Sequence, residues 1–103
     1  MTLETLTLEA GERGEIVLTP VNPVRNPSVD LESPGEFFTV ERVLHGGRPV
    51  MFVDVTKVER GHWAAYLPRL VVDQGRPLKV SVRNTCSSKV TVKATLAAYR
   101  GSN

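Results

Sequence analysis

The sequence predicts an all-β protein, an antiparallel β-sandwich of jelly-roll-like form with seven or eight short strands and little or no helix. Apolar and polar residues alternate through several segments of the 103-residue chain, which is the two-residue period of half-buried strands. Clusters that contain Gly or Pro separate these segments at short intervals. The length suits one modest core, so we expect residues 1–103 to form a single β-sandwich domain.

The first two strands are expected at Thr2–Leu8 and Glu15–Thr19, joined as a hairpin by the turn-forming sequence EAGERGE. Residues 20–35 follow, PVNPVRNPSVDLESPG, with four prolines in sixteen residues. Proline fixes φ and lacks an N–H group, so it is excluded from helix and sheet interiors. We therefore predict an extended loop over 20–35 that crosses an edge or an end of the domain.

A second hairpin is predicted in the middle of the chain, where Phe37–Leu44 and Val50–Val58 flank the turn His45–Arg48. Paired glycines reach the positive φ angles that a tight hairpin turn needs. Phe38, Val40 and Leu44 are expected on one face of the first strand. Residues 64–72 fit either a short helical turn or an irregular strand broken at Pro68.

The last two strands are the most strongly patterned. Leu78–Arg83 places Leu78, Val80 and Val82 inward, and Val90–Ala98 alternates in the same way after the polar turn Asn84–Ser88. These strands read as a third hairpin. An immunoglobulin-type sandwich is the near competitor, although its usual Cys…Trp…Cys spacing is not matched by one Cys after the Trp.

The composition limits the classes of partner and the cellular location that we expect for this protein. Thirteen basic and eleven acidic residues give a net charge of +2, and no basic run exceeds two residues, so specific nucleic-acid binding is not expected. One cysteine cannot form an intramolecular disulfide. We expect no secretory signal peptide and no membrane segment, because no apolar stretch approaches the roughly 20 residues of a membrane helix. Synthesis in a reducing cytoplasm is expected.

Catalytic and metal chemistry find little support in the sequence. Cys86 would need a base to act as a nucleophile, and the two histidines, His45 and His62, fall in predicted turns. A blue-copper site usually has a ligand histidine a few residues after the cysteine, and no histidine follows Cys86. Two histidines far apart in sequence are too few for a cupin-type or zinc site. The acidic residues are expected on solvated positions, with Asp54 as a candidate partner of Arg42 across the middle hairpin. We expect no enzyme, no cofactor and no metal.

Two surfaces are candidates for binding. His62, Trp63 and Tyr66 form an aromatic cluster that could stack on sugars, unless Trp63 instead closes one end of the sandwich. The outward positions of the last two strands are rich in basic residues and could hold an acidic neighbour, or could simply discourage aggregation at an edge. These basic residues are Lys79, Arg83, Lys89 and Lys93.

The last third of the chain, LPRLVVDQGRPLKVSVRNTCSSKVTVKATLAAYR, resembles the closing strands of small jelly-roll or β-sandwich proteins from bacteriophage and viral particles. One strand matches G-x-x-[LI]-x-V-x-V-x-N and the returning strand matches V-x-V-x-A-x-L-x-x-Y. The matching positions are Gly75, Leu78, Val80, Val82, Asn84, Val90, Val92, Ala94, Leu96 and Tyr99.

This resemblance implies a non-enzymatic virion structural protein, of the capsid decoration, cement or minor capsid type. Its partners would be further copies of itself and a larger capsid protein, and its location would be the virion. The interface is expected on the proline-rich loop and the outward faces of the last strands. The candidate interface residues are Pro23, Val24, Arg25, Asn26, Pro27, Lys79, Arg83, Lys93 and Tyr99.

Two other functions remain open from the sequence. One is a carbohydrate- or receptor-binding module that uses His62, Trp63 and Tyr66. The other is a small hydrolase that uses Cys86 or a pair of acidic residues.

Overall fold

The computed structural model describes residues 2–99, and these residues contain strands and no helix. Three of the eleven strands are only two residues long, so eight longer strands remain, in agreement with the predicted seven or eight. The strands are β1 (Thr2–Leu8), β2 (Arg13–Leu18), β3 (Val24–Arg25), β4 (Pro27–Glu32), β5 (Phe38–His45), β6 (Arg48–Pro49), β7 (Asp54–Glu59), β8 (His62–Tyr66), β9 (Val71–Val72), β10 (Leu78–Asn84) and β11 (Val90–Ala98).

The strands form two antiparallel sheets with a common core. The large sheet has the order β1-β11-β4-β8-β7, the small sheet has the order β2-β10-β5-β6, and β3 pairs with β9 separately. The chain alternates between the sheets, since β1, β4 and β11 lie in the large sheet and β2, β5 and β10 in the small one. The first strand lies beside the last. This wrapping is that of a jelly roll, and it confirms the predicted fold class.

Valine and leucine build the core between the two sheets, as the composition predicts. In β10 and β11 every inward position from Leu78 to Leu96 is buried, while the outward positions are partly or fully exposed. Burial of these side chains is the main source of stability for a domain of this size. The buried apolar cluster comprises Leu8, Ile16, Leu18, Val29, Leu31, Val43, Leu67, Val72, Leu78, Val80, Val82, Val90, Val92, Ala94 and Leu96.

The predicted first and third hairpins are wrong. β1 pairs with β11, and β2 pairs with β10, so Thr2–Leu8 and Arg13–Leu18 lie in different sheets. The same holds for β10 and β11, because β10 pairs with β2 and β5 while β11 pairs with β1 and β4. The polar segment Asn84–Ser88 therefore carries the chain from one sheet to the other.

The predicted loop over 20–35 is also wrong in its second half. Pro27–Glu32 forms β4, which is paired on both sides, with β11 and β8, inside the large sheet. Pro27 occupies the first position of the strand, where a missing N–H group is tolerated. Val29 and Leu31 then alternate inward and are fully buried, so their burial outweighs the surrounding prolines.

The middle of the chain differs from the predicted hairpin as well. On the side away from β10, β5 pairs only with the two residues of β6, Arg48 and Pro49, before the chain leaves for the large sheet as β7. Asp54 accordingly lies opposite Tyr66 rather than opposite Arg42. An irregularity in the β5–β10 register brings Val43, not Leu44, opposite the buried Val80.

Residues 64–72 contain no helical turn. Ala64, Ala65 and Tyr66 belong to β8, and the chain then runs irregularly through Pro68 to the short strand β9. The alternative of an irregular strand broken at Pro68 is therefore the better description.

Candidate functional site

The outer face of the large sheet carries a row of charged and titratable side chains. Cross-strand pairing places Lys93 beside Glu32, Glu32 beside His62, and His62 beside Glu59. His62 Nδ1 lies 3.7 Å from a Glu59 carboxylate oxygen, and its Nε2 lies 3.9 Å from Glu32. We call Lys93, Glu32, His62 and Glu59 the charge ladder. Lys93 and Glu32 are opposite charges on directly paired strands, and such a pair stabilises a sheet modestly.

Asp30 joins this ladder at His62, whose Nε2 hydrogen-bonds the Asp30 carboxylate. The ligand atoms of Asp30, Glu32 and His62 lie within 4.8 Å of one another, and imidazole with carboxylates is a donor set that divalent transition metals accept. Both carboxylates are nearly half exposed, and the hydrogen bond between His62 and Asp30 accounts for their approach without an ion. Sequence reasoning missed this cluster because it put Asp30 and Glu32 in a loop.

The aromatic candidates do not form one surface. Alternation along β8 turns Trp63 inward, where it packs against the core, and turns His62 and Tyr66 outward. Tyr66 instead stacks on Tyr99, with ring centroids 4.1 Å apart. The expected cluster of His62, Trp63 and Tyr66 is therefore divided between the two faces of the large sheet, and Trp63 is partly buried against the core.

The candidate interface residues 23–27 are anchored to the domain rather than extended as an arm. Val24 and Arg25 pair with β9, and Pro27 is buried at the start of β4. Asn26 adopts a φ of 47°, and its side-chain oxygen accepts a hydrogen bond from the Arg69 N–H at 2.8 Å. Pro23 is exposed. This segment offers only part of its length to a partner.

The basic candidates are likewise separated. Lys79 and Arg83 lie on the outer face of the small sheet, and Lys93 lies on the outer face of the large sheet. The two sheets stack face to face about 10 Å apart, and their outer faces point away from each other. These side chains therefore point in opposite directions from the sandwich. The expected single charged face is wrong because β10 and β11 do not form a hairpin.

Cys86 lies half-buried in the crossing between β10 and β11. Its Sγ accepts a hydrogen bond from the Phe37 N–H at 3.0 Å and lies 3.5 Å from a Glu36 carboxylate oxygen. His45 instead donates from Nε2 to the Val71 carbonyl oxygen at 2.7 Å, and His62 belongs to the charge ladder. The contacts of the two histidines are therefore with groups other than the thiol.

The most exposed apolar surface lies where the chain enters β7. Met51 is 97% exposed, Phe52 62%, Val55 46% and Val58 73%. We call these four residues the apolar segment. Val55 and Val58 pair with inward-facing residues of β8, so they lie on the core side of the large sheet, beyond the part that the small sheet covers.

An open groove lies beside this segment. Its volume is about 520 Å³, and Phe52, Pro68 and Leu70 supply apolar walls while Arg48 and Arg76 supply charge. Sequence reasoning missed both the groove and the apolar segment. Val55 and Val58 are three residues apart, so the two-residue alternation does not place them on one face. The bulge at Thr56 does so, and the position of β7 at the sheet edge leaves them exposed.

Comparisons with protein-family models, curated proteins and solved structures returned no match for this chain. Within residues 2–99 there is no helix of the length and apolar character needed to cross a membrane.

Proposed function

We propose that this protein is a non-enzymatic structural protein of a bacteriophage virion, which forms oligomers and binds or stabilises a capsid lattice as a decoration, cement or minor capsid protein. The apolar segment carries this proposal. Four large apolar side chains within eight residues are exposed at one edge of a closed core, and contiguous exposed apolar surface usually marks a protein interaction site.

The jelly-roll wrapping supports the proposal more weakly. Jelly rolls occur in capsid proteins, in lectins and in cupins, and a fold alone does not define a function. The surroundings of Cys86 also support the proposal. In the part of the chain that the structure describes, Cys86 has Glu36 and main-chain groups as its neighbours, which favours an interaction protein over a thiol hydrolase.

Co-sedimentation tests the lattice contact. The protein is mixed with empty shells of the major capsid protein encoded in the same genome, and bound protein is measured after pelleting. We expect saturable binding, and loss of binding in the double variant Phe52→Ser/Val58→Ser, because both side chains are exposed and their replacement leaves the core intact.

The matched control is Leu3→Ser/Val17→Ser, which removes two exposed apolar side chains elsewhere on the surface. We expect this control to bind as the parent protein does. Failure of the parent protein to bind the shells would refute the proposed function, and equal loss in both variants would refute the role of the apolar segment.

A carbohydrate- or receptor-binding module is the second candidate. The Tyr66–Tyr99 stack favours it, because Tyr99 is 42% exposed and presents aromatic surface on the outer face of the large sheet. A glycan array probes this function directly. Signals that disappear in Tyr99→Ala would support it, and an array without signal would remove it.

A further inference from the structure

β7 is an edge strand with unusual exposure. Among residues 2–99 its neighbour in the large sheet is β8, on one side only. All six residues from Asp54 to Glu59 are exposed. An edge strand presents main-chain donors and acceptors to any strand that can approach it, and here Val55 and Val58 add apolar surface beside them.

A bulge decides which side chains of β7 share a face. The register shifts between Val55 and Lys57, so Thr56 is an extra residue without a partner position in β8. Asp54 pairs with Tyr66 and Lys57 pairs with Ala64, and both partners point outward. An acidic and a basic side chain three residues apart thus lie on the same outer face, which a regular strand would not permit.

We propose that a second copy of this chain pairs with β7 in an antiparallel, two-fold arrangement, in which Asp54 of each copy lies opposite Lys57 of the other. The two-fold axis makes both ion pairs equivalent. Val55 and Val58 of both copies then lie on the core side of the seam, where each copy shields the valines of the other from water. The two large sheets join into one continuous sheet.

Charge complementarity favours this register over the next one along the strand. Thr56 of each copy is the extra residue of its bulge and is left out of the count. The next shift that keeps outward residues opposite outward residues then places Asp54 opposite Glu59 of the second copy and Lys57 opposite Lys57. Like charges that lie directly opposite each other are unfavourable. Within one copy, Lys57 Nζ lies 3.6 Å from a Glu59 carboxylate oxygen. Exposed pairs of this kind are weak, so Lys57 can turn toward Asp54 of the second copy.

The length of the overlap disfavours a third register, which places Lys57 opposite Glu59 of the second copy. That arrangement also pairs opposite charges, but it is centred on Val58, one residue before β7 ends. The turn at Arg60 and Gly61 follows at once, so the paired segment is limited to three residues of each copy. The proposed register instead leaves the whole of β7 beside the second copy and brings the preceding Phe52 to the seam.

The pairing deepens the proposed function, because it names the contact through which copies associate. One strand pair and four valines form a small interface, and small interfaces form weak, transient complexes. We therefore expect a monomer–dimer equilibrium in dilute solution, with the dimer populated at high protein concentration or on a surface that concentrates the copies.

Sedimentation equilibrium of the full chain and of charge variants tests the register. Asp54→Lys alone creates two Lys–Lys pairs and Lys57→Asp alone creates two Asp–Asp pairs, so each should raise the dimer dissociation constant by roughly tenfold. The double variant Asp54→Lys/Lys57→Asp restores both ion pairs with the charges exchanged, and we expect it to recover most of the affinity. Arg42→Asp, a charge reversal at an exposed position of β5, is the control that should leave the constant unchanged.

Four outcomes would overturn the proposal. A parent protein that stays monomeric up to millimolar concentration, or a double variant as weak as the single variants, would contradict the pairing of Asp54 with Lys57. A tighter dimer in Asp54→Lys would indicate the second register, because the introduced lysine would then face Glu59. An unchanged constant in Asp54→Lys would indicate the third. If such a monomeric parent still binds capsid shells, the pairing and the proposed oligomerisation are refuted, while the proposed binding to a capsid lattice stands.

Discussion

Replacement of Asn84 by alanine should destabilise this protein more than the replacement of any other polar side chain by alanine. Asn84 is fully buried at the end of β10, between the two crossings that carry the chain from one sheet to the other. Its Nδ2 donates to the carbonyl oxygens of Leu8, Glu9 and Ser88 at 3.1, 3.0 and 2.8 Å. Its Oδ1 accepts from the Cys86 N–H at 2.7 Å. One side chain thus holds both crossings.

The expected loss in the free energy of unfolding follows from the groups that lose a hydrogen-bond partner in Asn84→Ala. Glu9 and Ser88 are exposed, so their carbonyl groups can bind water instead. The Leu8 carbonyl group and the Cys86 N–H group belong to buried and half-buried residues, and an unsatisfied buried group costs about 1–3 kcal/mol. We expect a loss of about 3 kcal/mol in the free energy of unfolding, which corresponds to a fall in Tm of roughly 12–24 °C for a domain of this size.

Urea unfolding followed by circular dichroism measures this loss. Ser88→Ala is the matched control, because Ser88 contributes only its main-chain oxygen, and it should change the free energy of unfolding by less than about 0.5 kcal/mol. Asn84→Asp keeps the shape but has no amide hydrogens to donate, so it should cost at least as much as alanine. A loss below about 1 kcal/mol in Asn84→Ala would refute the assignment of Asn84 as the residue that holds the crossings.

Three further predictions concern stability. Gly61→Ala should cost more than about 3 kcal/mol in urea unfolding, because Gly61 has a φ of +77° and an added Cβ would overlap the Ser33 carbonyl oxygen. Gly47→Ala, at a φ of +85° with nothing within 4 Å, should cost only about 1 kcal/mol, and equal losses would contradict a steric cause. Leu31→Ala removes a fully buried side chain from the central strand β4 and should lower stability by about 2–5 kcal/mol, whereas a near-neutral result would contradict the position of β4. Cys86→Ser should change the free energy of unfolding by less than about 1 kcal/mol, because the thiol forms only weak hydrogen bonds. A larger loss of free energy in urea unfolding would show that the sulfur is structural.

The alternation of apolar and polar residues predicts the strands and their inward faces well, because this two-residue period is a local property of the chain. The inward positions of β10 and β11, such as Val80 and Val92, are buried as predicted. The sheet partner of a strand is not a local property. A hairpin turn and a crossing between sheets use the same kinds of polar residue, so the sequence of Asn84–Ser88 is compatible with both.

The remaining differences between the predicted and the observed structure have two causes, the placement of the prolines and the position of β7 at the edge of its sheet. Four prolines in residues 20–35 suggest a loop, although a proline at the first position of a strand, as Pro27 is, leaves the ladder intact. Val55 and Val58 share a face only because of the bulge at Thr56, and their exposure depends on how far the opposite sheet extends. Contacts such as that of His62 with Asp30 arise only from the pairing of β4 with β8, which the sequence alone does not reveal.

The pairing of the first strand with the last has a consequence for how the chain is made. Thr2 lies opposite Leu96, and β11 fills the position between β1 and β4. During synthesis, β1 and β4 therefore leave the ribosome long before their shared neighbour exists. The large sheet can close only after residues 90–98 are released, and sheets built from such distant segments form slowly. A chain that stops before residue 90 would leave both strands with open edges, which makes truncated copies prone to aggregate.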